Sequence, residues 1–321
     1  MSAVALVLVG GHEIGPLAPV VEQAREYARR SKSAATRRGY AADWKSFTRW
    51  CDEKGLLALP ATPETVALYI SDCANRLKAS SIQRHVSAIS QGHCALGHES
   101  PCRNPIVRSV MAGIRRTLGT APTQKAPLLT ADLKAMVDAL PNSTIGIRDR
   151  ALLLLGFACA SRRSELVSLD VGDLSFSDDG IAVLLRRSKT DQEGVGRKIG
   201  VPRLPASEYC PVCATQAWLD TSSITTGPLF RPVALGGRIG ERRLSDRTVA
   251  ILIKKRLPDG KDRAAYSGHS LRAGFVTAAC CGGASIKAIC NQTGHRSIST
   301  VMRYIREASL FKGNALPSTG L

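Results

Sequence analysis

The stretch from Ser267 to Glu307, SGHSLRAGFVTAACCGGASIKAICNQTGHRSISTVMRYIRE, constrains this chain more than any other. Three polar signals stand in it on a helical background: His269-Ser-Leu-Arg272, Gly294-His295-Arg296 and Met302-Arg-Tyr304-Ile-Arg306. His269 and Arg272 are three apart, so on a helix they share a face. Ile286 and Ile289 keep helical spacing, and Gly294 then stops that segment. Ser297 caps a further pattern reaching Phe311, with Ile298, Val301, Met302 and Ile305 on one side. Tyr304 borders that stripe between Arg303 and Arg306. A phenol flanked by arginines, downstream of an imidazole and a His-Arg pair, points to a phosphate site with a tyrosine nucleophile.

Two upstream stretches extend the pattern. Gly146 to Ala160 (GIRDRALLLLGFACA) is apolar nearly all round, which predicts a buried helix. Directly after it comes Ser161-Arg162-Arg163-Ser164-Glu165-Leu166, where the spacing of three lets Glu165 face and fix the fork of Arg162. Beyond Leu169 the period falls to two, predicting short strands at 173–176, 181–186 and 197–201. Arg186-Arg187-Ser188-Lys189-Thr190 ends the second of them. Any one of these motifs alone reads more simply: a surface pair, a half-buried aromatic, a solvated turn lysine. Their order along one chain sets them apart.

Taken together, they resemble the tyrosine recombinase (phage integrase) family, and its Cre-like members in particular. In that family a first arginine motif, a lysine on a hairpin, His-x-x-Arg, a later His or Trp and a tyrosine nucleophile follow one another. The resemblance implies Arg162, Lys189, His269, Arg272, His295 and Tyr304 as catalytic residues, with Glu165 supporting Arg162. The common form of the first motif has Gly-Leu where this chain has Ala160-Ser161, a departure that leaves the charged positions intact. Each residue type suits the chemistry. Arginine forks match phosphate oxygens with a permanent charge. The phenol, with a reference pKa of about 10, needs an acceptor, for which His269 is the candidate. His295 would add a donor, and Lys189 would protonate the departing 5′ oxygen. The product would be a 3′-phosphotyrosine, with religation independent of ATP. No metal or other cofactor is expected, since no acidic cluster of the two-metal kind is evident.

The rest of the chain fits two domains. Residues 1–19 carry Gly10, Gly11, Gly15, Pro16 and Pro19 and predict no element. Residues 20–119 read as helices only: one at 20–30, then one capped by Ser33 or Thr36 and ended by Gly55. The next has Thr62 as cap and Pro63 in first place, the fourth starts at Ser80-Ser81, and the fifth starts at Asn104-Pro105. Thr120 to Pro127 (TAPTQKAP) is the linker, and 128–321 the second domain, with later helices near 211–221, 245–256, 269–281, 285–293 and 297–311. The fold class is mainly α. The resemblance makes it a two-domain DNA clamp: an all-helical N-terminal core-binding domain and a mostly helical catalytic domain with a small antiparallel sheet. In such proteins the helices holding Arg37, Arg38, Gln83 and Arg84 face the major groove. Gln83 and Arg84 would read bases, while Arg37, Arg38 and Lys78 would hold phosphates. Too few residues precede the first helices for the family's arm-binding domain, which predicts a simple system on short core sites. The tail after Gly313-Asn314 is too short to fold alone and either packs in cis, docks on a neighbouring protomer or frays; the resemblance favours the neighbour.

Charge supports a polyanionic partner: 44 Lys and Arg stand against 26 acids, a formal net charge of +18. No apolar run approaches the roughly 20 residues of a membrane-spanning helix. The opening MSAVALVLVGGHEIG lacks a basic start, so a cytoplasmic protein is expected. Ten cysteines in such a chain read as free thiols. Cys210-Pro-Val-Cys213 has no second ligand pair for zinc and reads as a helix start with two small apolar residues. Cys280-Cys281 reads as core. The resulting expectation is a site-specific recombinase acting on double-stranded DNA with short inverted-repeat core sites. A homotetramer would pair two sites and exchange strands through a Holliday junction. A type IB topoisomerase-like enzyme shares the tyrosine chemistry and is the nearest alternative. A non-catalytic DNA-binding protein is the next. An RNA-binding protein has less support, for aromatic residues make up only 5% and form no stacking motif.

Overall fold

The computed structural model describes residues 17–121, 124–186, 196–295, 297–298, 301–302 and 304. Lys189 and the tail from Gly313 lie outside them. The chain divides into two compact units, residues 1–123 and 124–321.

Among its described residues the first unit is entirely helical: α1 (Ala18–Arg30), α2 (Ala34–Lys54), α3 (Pro63–Ala74), α4 (Ala79–Ala95) and α5 (Pro105–Leu118), with a single 3-10 turn, Pro101–Arg103. Local chemistry sets most of these bounds. The Ser33 hydroxyl accepts from the Thr36 N–H at 3.1 Å to start α2, and Gly55, at φ 66°, ends it in the left-handed region. Thr62 and Asn104 cap α3 and α5 in the same way, each followed by a proline. α1 begins earlier than its sequence predicts. Pro19 falls in its first turn, where a missing N–H costs nothing. Phe47, Trp50, Tyr69, Ile70, Ile82, Ile89 and Met111 form the core, with the Phe47 and Tyr69 rings edge to face at 5.0 Å.

The second unit holds α6 (Thr130–Asp138), α7 (Thr144–Ala158), α8 (Arg163–Ser168), β1 (Leu174–Phe176), β2 (Gly180–Leu185), β3 (Arg197–Pro202), α9 (Pro211–Ser222), α10 (Asp246–Arg256), α11 (Ser270–Cys281) and α12 (Ile286–Thr293). The strands form an antiparallel sheet in the order β1-β2-β3, with Val183 opposite both Leu174 and Ile199. α7 is buried as expected, from Ala151 through Leu155 without a break, beside Trp218 of α9. The end of the linker sequence belongs to this unit. The Ala126 and Leu128 N–H groups donate to the Ala265 and Ser270 carbonyls, each at 2.9 Å, and Leu128 is fully buried. α11 crosses that segment at Gly274, where a Cβ would lie 1.8 Å from the Leu128 oxygen, so only glycine permits the approach. A smaller cluster, Val276, Ile289 and Val301, joins α11 and α12 to the helical residues 301, 302 and 304.

The cysteines depart from two readings. Cys210 is buried but Cys213 is exposed, and Cys281 is exposed while only Cys280 leans on the smaller cluster. Both exposed thiols sit on helix faces turned from the core. All ten cysteines are free. Among the described residues, no helix is long and apolar enough to cross a membrane, and no group of three metal-ligating side chains could hold an ion.

Candidate active site

The turn after α7 places the first arginine. Ala160 adopts φ 44°, in the left-handed region that a Cβ disfavours. Its carbonyl accepts from Arg272 Nη1 at 2.7 Å. Arg162 is the N-cap of α8 rather than a residue within it. Glu165, three positions on and buried, reaches back: its carboxylate accepts from the Arg162 N–H at 2.9 Å and pairs with the Arg162 guanidinium. One carboxylate thus fixes both the backbone and the fork of Arg162.

His269 stands at the N-cap position of α11, without a side-chain capping bond, and Arg272 lies one turn inside, wholly buried. Burial, followed by the charge of Arg162, pulls the Arg272 pKa down to about 10, so it stays charged at neutral pH. Its Nε has no hydrogen-bond partner among the described residues. Its Nη2 meets His295 Nε2 at 3.1 Å. Arginine can only donate, so Nε2 accepts and the His295 proton sits on Nδ1, which donates to Thr293 Oγ1 at 2.7 Å. Thr293 in turn donates to the Ile289 carbonyl at 2.7 Å. Burial first, then Arg272 and Arg162, push His295 down to about 4, leaving the imidazole neutral. Here, then, Nε2 is an acceptor rather than the donor anticipated from the sequence.

Tyr304 closes the group. Its hydroxyl lies 2.8 Å from His269 Nε2, and its ring centroid is 6.3 Å from that of His295. Arg162, Glu165, His269, Arg272, His295 and Tyr304 therefore lie close together in the second unit. Lys189 falls outside the described residues. Arg186, just before it, is held by Asp173 at 2.6 Å and Asp170 at 3.3 Å.

The sequence did not single out Arg197. It leads β3, and its guanidinium donates to the carbonyls of Gln292 at 2.9 Å, Thr293 at 3.2 Å and Asn291 at 3.3 Å. One signal was available. Arg197 shares a strand face with Ile199 and Val201, both buried, so a charge stands at a buried phase of the strand.

The first-unit candidates are more engaged than expected. Arg84 forms a bidentate pair with buried Asp43, at 2.7 and 3.0 Å. Asp43 also meets His85 Nε2 at 3.2 Å, and His85 Nδ1 meets the Tyr69 hydroxyl at 2.8 Å. Gln83 Oε1 accepts from Arg115 at 2.6 Å, and Arg37 donates to the Arg29 carbonyl at 2.7 Å. Arg38 and Lys78 are exposed.

Comparison with known proteins places the chain. The phage integrase family profile matches residues 127–310. The integrase/recombinase xerD homolog of Selenomonas ruminantium is 40% identical over 299 residues, covering 92% of this chain and 88% of the relative. The recombinase cre of Escherichia phage P1 is 26% identical over 287 residues, covering 82% and 81%. The likeness shown is therefore to the family at large. Among solved structures, a lambda integrase (75–356) dimer bound to a COC′ core site shares the fold, with a TM-score of 0.58 at 17% identity over 89% of this chain and 93% of that one. The ordered motifs, the fold and these relatives agree, and the chain belongs to the phage integrase family as a site-specific tyrosine recombinase.

Proposed function

We propose that this recombinase cuts and rejoins double-stranded DNA with Tyr304 as nucleophile. One observation carries the assignment: the Tyr304 hydroxyl lies within hydrogen-bond reach of His269 Nε2, beside the Arg162, Arg272 and His295 group. His269 takes the phenolic proton as the oxygen attacks the scissile phosphorus. The phosphate gains negative charge as it becomes pentacoordinate, and Arg162 and Arg272 offset it. That added charge opposes the arginines' effect on His295 and raises its proton affinity, so His295 Nε2 can take a proton from solvent and shift from accepting to donating as the transition state forms. Lys189 is the proposed donor to the 5′ oxygen. The 3′-phosphotyrosyl bond retains the energy of the broken one, and a 5′ hydroxyl from another strand reverses the step. This chemistry calls for no metal or nucleotide.

The first unit serves in this reading as the core-binding domain, residues 20–119, and residues 128–321 as the catalytic domain. Arg38 and Lys78 offer exposed cations for phosphates, with Arg37, Gln83 and Arg84 alongside. The partner would be duplex DNA with short inverted-repeat core sites, paired by a homotetramer through a Holliday junction in the cytoplasm. Likeness to Cre would make it a self-sufficient system. The basic composition and the DNA-bound form of a structural neighbour support a DNA partner.

Tyr304→Phe tests the reading. A core site selected by binding from random duplexes, nicked beside the cleavage position, traps the wild-type protein as a denaturant-stable adduct. The variant should bind that DNA as tightly and form no adduct, with wild-type cleavage persisting in EDTA. An adduct in the variant, or activity restored only by magnesium, would overturn it.

A further inference from the structure

Arg197 belongs to none of the motifs, yet its guanidinium sits at the end of the helix that presents His295. α12 ends at Thr293, and its last carbonyls have no partners within the helix. Arg197 donates to three of them in succession, on Asn291, Gln292 and Thr293. A cation at that end also meets the negative pole of the helix. Gly294 then turns at φ 68°, and a Cβ there would lie 2.7 Å from Arg197 Nε, so the turn wraps directly around the guanidinium. The next residue is His295. Its Nδ1 proton is held by the hydroxyl of Thr293, whose own carbonyl Arg197 holds. Gln292 adds a second tie, donating to the Ala158 carbonyl at 2.6 Å.

The placement is costly. Burial lowers the proton affinity of Arg197, Arg162 adds repulsion, and Glu165 offsets part of both. An aliphatic side chain would suit that face of β3, alongside Ile199 and Val201, without the cost. A lysine ammonium is a point charge and cannot span three carbonyls as a planar fork can.

We infer that Arg197 is a positioning residue for His295: by holding the last carbonyls of α12 and the Gly294 turn, it sets where the His295 imidazole stands against Arg272. This rests on the proposed role of the Arg272 and His295 group. It further implies that β3, the strand returning from the segment with Lys189, and the His295 turn move as one piece.

The test is a double-mutant cycle on the rate of adduct formation at saturating protein, on the nicked core site. Arg197→Gln should slow that rate by about tenfold to a hundredfold, the scale of loss from a small misplacement of a catalytic group. In a His295→Ala background the same change should matter by less than about twofold, because its effect passes through the imidazole. Arg197→Lys should fall between wild type and Arg197→Gln. If the glutamine variant does not fold, the lysine variant takes its place in the cycle with the same two outcomes. A second readout is the His295 Nδ1 proton by NMR. It should be protected from exchange in the wild type and should exchange freely in the Arg197 variant. Equal slowing in both backgrounds, a wild-type rate in the single variant, or an unchanged Nδ1 proton would overturn the inference. Loss of the adduct's dependence on Tyr304 would instead overturn the assignment on which it rests, so the two failures are told apart.

Discussion

Arg84 in the first unit and Arg272 in the second carry the same guanidinium into opposite surroundings. Arg84 is more than half exposed and shares its fork with Asp43, which raises its proton affinity. Arg272 is wholly buried, its affinity is lowered, and its nearest charged company includes Arg162 and Arg197. The Glu165 carboxylate offsets part of their repulsion. A paired, half-exposed cation costs little to keep. A cluster of cations with one carboxylate between them costs stability in the free protein. That cost makes sense where an anion of higher charge than the substrate forms during reaction. The first unit is thus built to hold a surface, and the second to hold a field.

The largest test of this contrast is Arg272→Gln. It should cut the rate of adduct formation by about a hundredfold to a thousandfold, in the range seen for loss of one transition-state donor. Affinity for a half site should change little, since the lost interaction matters most when charge develops. Equal losses in affinity and rate would break the distinction.

Arg84→Gln should do the reverse. The adduct rate at saturation should stay within about twofold of wild type while DNA affinity drops. Sequence preference at one base position should relax, as for the loss of one base-edge contact. The variant should also lose about 1 kcal/mol of stability, because buried Asp43 keeps only His85 of its two partners. Unaltered affinity and sequence preference would make Arg84 a purely structural residue.

A smaller effect follows from buried histidines in both units. Burial lowers the pKa of His85 and His93, and burial with the arginines takes His295 from 6.5 to about 4. Between those two values the unfolded chain binds protons that the folded chain refuses. Stability is therefore full above pH 6.5 and is lost as pH falls towards 4. The melting temperature should decline across that window, and His295→Gln should make the decline shallower.

The smallest effect concerns Ala160, which carries a Cβ at φ 44° to aim its carbonyl at Arg272. Ala160→Gly removes that steric cost and should raise stability by about 0.5–1 kcal/mol after glycine's own entropy is counted. Thermal unfolding measures it. A destabilised variant would mean the turn is unstrained.

Much of this was legible in the sequence because caps, stops and the order of charged motifs are local. Ser33, Thr62, Asn104 and Gly55 mark helix ends with their own side chains or lack of one. Gly274 within GHSLRAG shows its reason only in three dimensions, as the one residue that lets α11 meet Leu128. Arg197 and the Asn291–Thr293 carbonyls lie more than 90 residues apart, so no window along the chain joins them. Arg84 read as free because its carboxylate partner is 41 residues away. The His295 tautomer depends on a donor from α11, Arg272, and an acceptor at the end of α12, Thr293, and spacing carries no trace of it.

The most direct measurement is the chemical identity of the protein–DNA link. Wild-type protein is reacted with a core site bearing sulfur at the 5′ bridging position, which leaves without a proton and stalls reversal. The adduct is then digested with protease and nuclease, and the peptide that retains a nucleotide is sequenced by mass spectrometry. The account predicts a single modified peptide with a 3′-linked nucleotide on Tyr304, formed at a far lower rate in Arg272→Gln. A nucleotide on any other residue, or DNA cleaved with no peptide attached, would contradict it.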